Sequence, residues 1–211
     1  MVAPRDIRTF VARLEERIAD AIDGHERVAL AYSGGLASTL VAMIARKRCE
    51  LNCFVAGTSD SPDVKAAIAA KRYFDYRTIH VAMNRSETRR VLAAVARLDP
   101  RLSQSKRGGL VPICAVIERA SEGVILTGYG RSRRGPGETA ALEQTRVHMP
   151  LHNLRARGDV TRELLRSAAI SLGLPVEWAR TSHRDPEVGA GIAPFLPRDG
   201  HMLTKESAAR P

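Results

Sequence analysis

Aromatic side chains are scarce in this sequence, at 4% of 211 residues, so its core has to be packed from aliphatic side chains. Cysteine is sparse too. Cys49, Cys53 and Cys114 are odd in number and lack C-x-x-C spacing, which argues against a disulfide framework and against zinc. Cys53 falls in a strand-like apolar run and Cys114 in a helix-like one, places that suit buried thiols better than iron–sulfur ligands. No apolar run approaches the roughly 18–20 residues of a membrane span. The opening MVAPRDIRTF carries an acid and arginines where a secretory signal needs an apolar stretch. A cytoplasmic protein with no membrane partner is expected. Acidic residues are also in deficit, 23 against 33 Lys and Arg, leaving a net charge of +10. That balance suits nucleotides or RNA, and equally an arginine-rich solvated surface.

The length and the ordinary hydrophobic content of 44% fit one domain, expected over residues 1–196, with a loosely ordered tail over 197–211. Apolar residues at helical spacing predict a helix over 5–23, stopped by Gly24. RVALAY (27–32), LNCFVAG (51–57), YRTIHVAM (76–83) and GVILTG (123–128) read as strands. Helices are predicted over 37–48, from Pro62 behind a Ser61 cap, over 86–98 and over 110–121 with Pro112 in the first turn. DPRLSQSKRGG (99–109) reads as a polar loop. Beyond residue 140 the pattern is helical, most clearly over 160–172. Strands alternating with helices predict an α/β fold: a Rossmann-like parallel sheet with helices on both faces and a helical C-terminal part. Function in such a fold sits in the loops at the carboxyl ends of strands, here 33–36 and 128–138.

The first of these loops, Ser33-Gly34-Gly35, lies between a strand and a helix. Glycine lets backbone N–H groups approach an anion, the helix adds its positive end, and Ser33, Ser38 and Thr39 add hydroxyls. It is neither a Walker loop, lacking Gly-Lys-Ser/Thr, nor a G-x-G-x-x-G turn. A bare strand–helix turn would use one glycine and would not need the hydroxyls behind it. His148 and His152 are spaced i, i+4 across a proline without a third ligand, and His80 reads as a strand residue, so no metal site is assigned.

SGGLAS resembles the SGGxDS pyrophosphate loop of the PP-loop ATP pyrophosphatases, the adenine nucleotide alpha hydrolase-like proteins, which cleave ATP to AMP and pyrophosphate. Within them the sequence is most similar to the synthetase domain of asparagine synthetases in its stand-alone archaeal form. FVAGTSDSPDVKAA (54–67), LDP (98–100) with VPICAVIERASEGVILTGYG (111–130), LLRSAAISLGLPVEW (164–178) and RDPEVGAGI (184–192) carry the resemblance in the expected order. It implies a PP-loop fold. It also implies that Ser33, Gly34, Gly35, Leu36, Ser38 and Thr39 take pyrophosphate. Backbone at Val55, Ala56 and Gly57 would hold adenine, and Gly128 and Gly130 would shape a second loop near the α-phosphate. The implied ligand is ATP, or AMP, pyrophosphate or phosphate.

The departures from that family fall on its acids. Ala37 stands where the family has a magnesium-holding aspartate. Gly128-Tyr129-Gly130-Arg131-Ser132-Arg133 replaces Gly-x-Gly-Ala-Asp-Glu, and Thr181-Ser182-His183-Arg184 replaces Arg-Pro-Lys-Lys. Magnesium needs carboxylates beside the phosphates, so its role here is doubtful. Arg131, Arg133 and Arg134 could instead neutralise an anion directly. No catalytic residue is assigned; Arg131, Arg133, His183 and Arg184 are the candidates that stand in the altered places. Two classes of function follow. One is an AMP-forming amidating ligase that works through an acyl-adenylate. Because the chain begins Met-Val-Ala rather than with a nucleophilic cysteine, it would take free ammonia or a separate glutaminase subunit. The other is a catalytically impaired homologue that serves as a nucleotide- or RNA-binding partner subunit, and a homo-oligomer is compatible with either. A tRNA-modifying PP-loop enzyme is a further alternative.

Overall fold

The computed structural model describes residues 2–129, 136–152, 154, 160–180 and 184–197. Helix α1 (Pro4–Ile22) opens on a proline, whose missing N–H costs nothing in a first turn. It buries Phe10, Leu14, Ile18 and Ile22, one side chain per turn along a single stripe. At about 1.5–3 kcal/mol for each side chain taken from water, that stripe fastens the helix to its neighbours. Strand β1 (Arg27–Ala31) follows, then α2 (Leu36–Ala45), β2 (Glu50–Gly57), α3 (Pro62–Ala70) and β3 (Arg77–Ala82). As the sequence predicts, Ser61 caps α3, its hydroxyl accepting from Val64 N at 3.4 Å. The two crossings are the βαβ units expected of strands that alternate with helices.

After β3 the chain passes through α4 (Arg85–Leu98) and α5 (Gln104–Arg119), then crosses to the other side of β1 and forms β4 (Ile125–Thr127). Helix α6 (Pro136–Glu143) leads to a two-residue strand, β5 (Val147–His148). The sheet order is β3-β2-β1-β4-β5 and every pairing is parallel. Ladder formation aligns Ala31 with Phe54 on one side and with Thr127 on the other, so β1, β2 and β4 end level at their carboxyl edge. Helices α1, α2, α3 and α7 (Arg162–Ser171) contribute to one core, and α4, α5 and α6 to a second across the sheet. Both faces are therefore covered, as a parallel sheet requires. Short helices α8 (Val176–Ala179) and α9 (Pro186–Gly189) and a single turn at Ala193–Phe195 complete the described chain. No described helix is long and apolar enough to cross a membrane.

Two local expectations are corrected. The stretch 104–109 is not loop: Ser103 caps α5 there, and Pro112 lies inside the helix rather than in its first turn. Gly108, Gly109 and Pro112 are weak helix formers, but Gly108, Gly109, Leu110 and Val111 are all buried, and that packing overrides their propensity. The region after 140 is not wholly helical either, since Val147 and His148 extend the sheet. The expected tail lies almost wholly outside the described residues, as do Gly130, Arg131, Ser132, Arg133, Arg134, Thr181, Ser182 and His183.

Candidate functional site

In the order β3-β2-β1-β4-β5 the chain reverses its direction of winding between β1 and β4. The crevice beyond the carboxyl ends of those two strands is where open α/β sheets bind ligands. A cleft of about 720 Å³ opens there. Its floor is Ser33-Gly34-Gly35 and the first turn of α2.

The cradle is held by short polar contacts. Gly34 has φ 68°, which turns the chain sharply from β1 into α2. A Cβ on Gly34 would lie 2.6 Å from Ala66 Cβ, so α3 packs directly on the turn. Ser38 Oγ donates to Gly35 O at 3.0 Å and lies 3.2 Å from Ser33 Oγ, while Gly35 N donates to Ser33 Oγ at 3.3 Å. Gly35 is the N-cap of α2 and supplies no capping side chain, so the positive helix end faces the cleft. The second loop sits on this turn. A Cβ on Gly128 would come within 2.5 Å of Ser38 N, which fixes glycine there and joins the β1 and β4 loops at one edge.

Of the residues named from the sequence, Ser33, Gly34, Gly35, Leu36, Ser38, Ala56, Gly128 and Arg184 line the cleft. Thr39, Val55 and Gly57 do not. Thr39 is fully buried, with its hydroxyl 3.2 Å from Tyr32 Oη, and Val55 is buried in β2. The Gly57 carbonyl already accepts from Met83 N and lies 2.9 Å from His80 Nε2. Ala37 also lines the cleft.

The structure adds residues that sequence reasoning missed. Asp60 comes from the turn before the Ser61 cap, Asp63 and Lys65 from the start of α3, and Arg162 from the start of α7. Helix α5 presents Gly109, Pro112, Ile113 and Val116, spaced as one helical stripe, and with Phe54 they make an apolar wall. Burial pushes the Asp63 carboxyl up to about 7, against the opposing pull of Arg184. It is pressed under α9, where a Cβ on Gly189 would lie 2.5 Å from Asp63 Oδ1. Its place in the first turn of a helix hides it in sequence, because acids there are ordinary helix starts. The cleft thus combines the Ser33–Ser38 turn and charged side chains of both signs with an apolar stripe from α5.

A loop of this kind at the β1–β4 crevice, with a second glycine loop resting on it, defines a PP-loop domain. The chain belongs to the asparagine synthase family, whose sequence profile matches residues 9–131. Domains of this family bind ATP. Over 156 residues the chain is 24% identical to a Methanocaldococcus jannaschii protein assigned by name to the glutamine-hydrolyzing asparagine synthetases. That match covers 72% of this chain but 28% of the relative, so the chain spans under a third of that protein's length. A solved structure described as a predicted subunit of a tRNA methyltransferase, also from M. jannaschii, covers 75% of this chain and 94% of its own. Its identity is 15% and its TM-score 0.43, a likeness that says nothing of function.

Proposed function

We propose that the cleft binds an adenine nucleotide, with phosphates on the Ser33–Ser38 cradle and the base against the apolar wall of α5. The observation that carries this reading is the division of the cleft. Backbone N–H groups, hydroxyls and the end of α2 gather at the β1–β4 crevice, and Ile113, Val116 and Phe54 stand across from them. Phosphate suits the first half and a flat, weakly polar ring the second. Lys65, Arg162 and Arg184 line the same space and add positive charge.

The residues present do not fit a magnesium ion at the cradle. Ala37 offers no ligand where a magnesium-holding carboxylate would stand beside the phosphates. Of the two carboxylates in the cleft, Asp60 accepts from Thr58 Oγ1 at 2.9 Å and Asp63 is held toward its neutral form. Charge on the phosphates is met instead by backbone dipoles and by arginine and lysine.

Calorimetric titration should show ATP, AMP or pyrophosphate binding that changes less than about twofold when magnesium is chelated. The same binding should weaken steeply as salt rises, because contacts near a surface are screened within roughly 8–10 Å. Ala37→Asp alone should not restore pyrophosphate release from ATP. Robust magnesium-dependent cleavage by the unmodified chain would return it to the working synthetases. The absence of any binding at millimolar concentrations would make the cradle a relic.

The amidating-ligase reading rests on family membership. In it a substrate carboxylate attacks the α-phosphate of ATP, the bond to pyrophosphate breaks, and ammonia displaces AMP from the acyl-adenylate. A pyrophosphate-release assay across a panel of amino acids, with ammonia or glutamine, tests it.

A further inference from the structure

Away from the cleft, at the amino-terminal edge of the sheet, positive charge gathers with few acids to answer it. Helix α2 runs out into Arg46-Lys47-Arg48, α3 runs out into Lys71-Arg72, and β3 begins with Arg77; all six are exposed. The register that pairs Asn52 with Arg77 puts these segments at the same end of neighbouring strands β2 and β3. Contact joins them, because the Arg46 guanidinium lies 5.4 Å from the centroid of the Tyr76 ring. The acids within these segments are Glu50, which is 2.8 Å from Arg27, and the exposed Asp75. Lys47, Arg48, Lys71 and Arg72 form no ion pair among the described residues.

A cation just past a helix end complements the helix dipole, an effect of about 0.3–1 kcal/mol that fades within a turn. One side chain per helix satisfies it, and here two helix ends carry five. An exposed aromatic stands among them. Tyr73 directly follows Lys71-Arg72, is 52% exposed, and is held in place by Trp178, whose ring meets it edge-on at 5.5 Å. Cations in a row beside a fixed, half-exposed ring form the arrangement that takes a nucleic-acid backbone and an unstacked base together.

We propose that this edge docks single-stranded RNA, with phosphates on Arg46, Lys47, Arg48, Lys71 and Arg72 and a base on Tyr73. Unpaired bases splayed beside their backbone are the ordinary presentation of RNA loops and ends, whereas a duplex hides the face that a tyrosine would stack on. None of these residues lines the cleft, so the proposal stands apart from nucleotide binding.

The experiment is fluorescence anisotropy of the full chain with a labelled, unstructured RNA of about 20 nucleotides. The matching DNA, a duplex RNA and anionic phospholipid vesicles serve as competitors. The combined variant Lys47→Gln, Arg48→Gln, Lys71→Gln, Arg72→Gln should bind RNA at least about 10-fold more weakly. Its slope of log affinity against log salt should be shallower by about 3, at roughly 0.7 per phosphate contact on a single strand. Tyr73→Ala should cost about 5- to 100-fold on the single strand and leave that slope unchanged. Lys47→Arg with Lys71→Arg should keep parental binding, which separates loss of charge from loss of fold. The proposal is overturned if the parent binds no RNA at low salt, or if the combined variant binds as the parent does. Equal or tighter binding of the DNA, the duplex or the vesicles overturns it as well.

Discussion

Replacing Gly34 with alanine is expected to destabilise the protein by about 2–5 kcal/mol and to abolish anion binding at the cradle. Two separate costs add. An L-residue at φ 68° costs about 1–2 kcal/mol, and forcing a methyl group into closed packing costs about 1–3 kcal/mol more. The second cost is not relieved by a rotamer change, because the new Cβ would lie 2.9 Å from Ala66 C and 3.0 Å from Ala67 N, both backbone. Either α3 retreats or the turn opens, and both spoil the N–H groups that face the cleft. Gly24 is the internal control. It has φ 72° but nothing within 4 Å of where a methyl group would stand, so Gly24→Ala should show the backbone cost alone. Denaturant unfolding of the two variants separates packing from backbone strain. Equal losses would mean that α3 does not brace the turn.

The second large effect is on pH. Asp63 is raised by burial from 3.8 to about 7, with Arg184 acting against the shift. Lys65 and Asp60 line the same part of the cleft. An acid whose folded-state pKa is raised favours folding while protonated. Its contribution is intact below its unfolded value near 4 and is lost as pH rises toward about 7. The Asp63→Asn variant should therefore match the parent near pH 4 and exceed it at pH 8 by on the order of 2–4 kcal/mol, the partial exposure of the carboxyl reducing the full linkage value. Pyrophosphate should bind the parent more tightly at pH 6 than at pH 8, because an ionised Asp63 repels it, and the variant should lose that difference. Paired unfolding curves at the two pH values, with and without pyrophosphate, read both effects. A variant whose pH profile parallels the parent's would remove Asp63 from the account.

What could be read from the sequence was what is written locally. RVALAY, Ser33-Gly34-Gly35 and the helix behind them sit within one short span, and the period change from strand to helix marks the turn without help from the rest of the chain. The alternation of strands and helices carried the parallel sheet in the same way. Helix α5 was legible only from residue 110, because Gly108-Gly109 and Pro112 carry the signature of a break, and burial rather than propensity keeps them helical. Strand β5 is two residues long and has no period to detect. Within the cleft, the turn at Ser33-Gly34-Gly35 was legible and the walls were not. Asp63, Lys65, Arg162 and the α5 stripe are ordinary helix residues until the sheet brings them together. Thr39, one residue beyond Ser38, does not line the cleft, and its hydroxyl lies 3.2 Å from Tyr32 Oη.

The wall around Asp63 also has a history in time. Thr58 N donates to Ala190 O, and Gly189 closes over a side chain encoded near the start of the same site. Roughly 130 residues separate those partners, and a ribosome adding about 5–20 residues each second needs on the order of 10 s to cross that interval. The β1–α2 turn is complete in the emerging chain well before Pro186–Gly189 exists to cover α3. During synthesis the β1–α2 turn therefore precedes the pocket, and Asp63 stays solvated until α9 arrives to take it out of water.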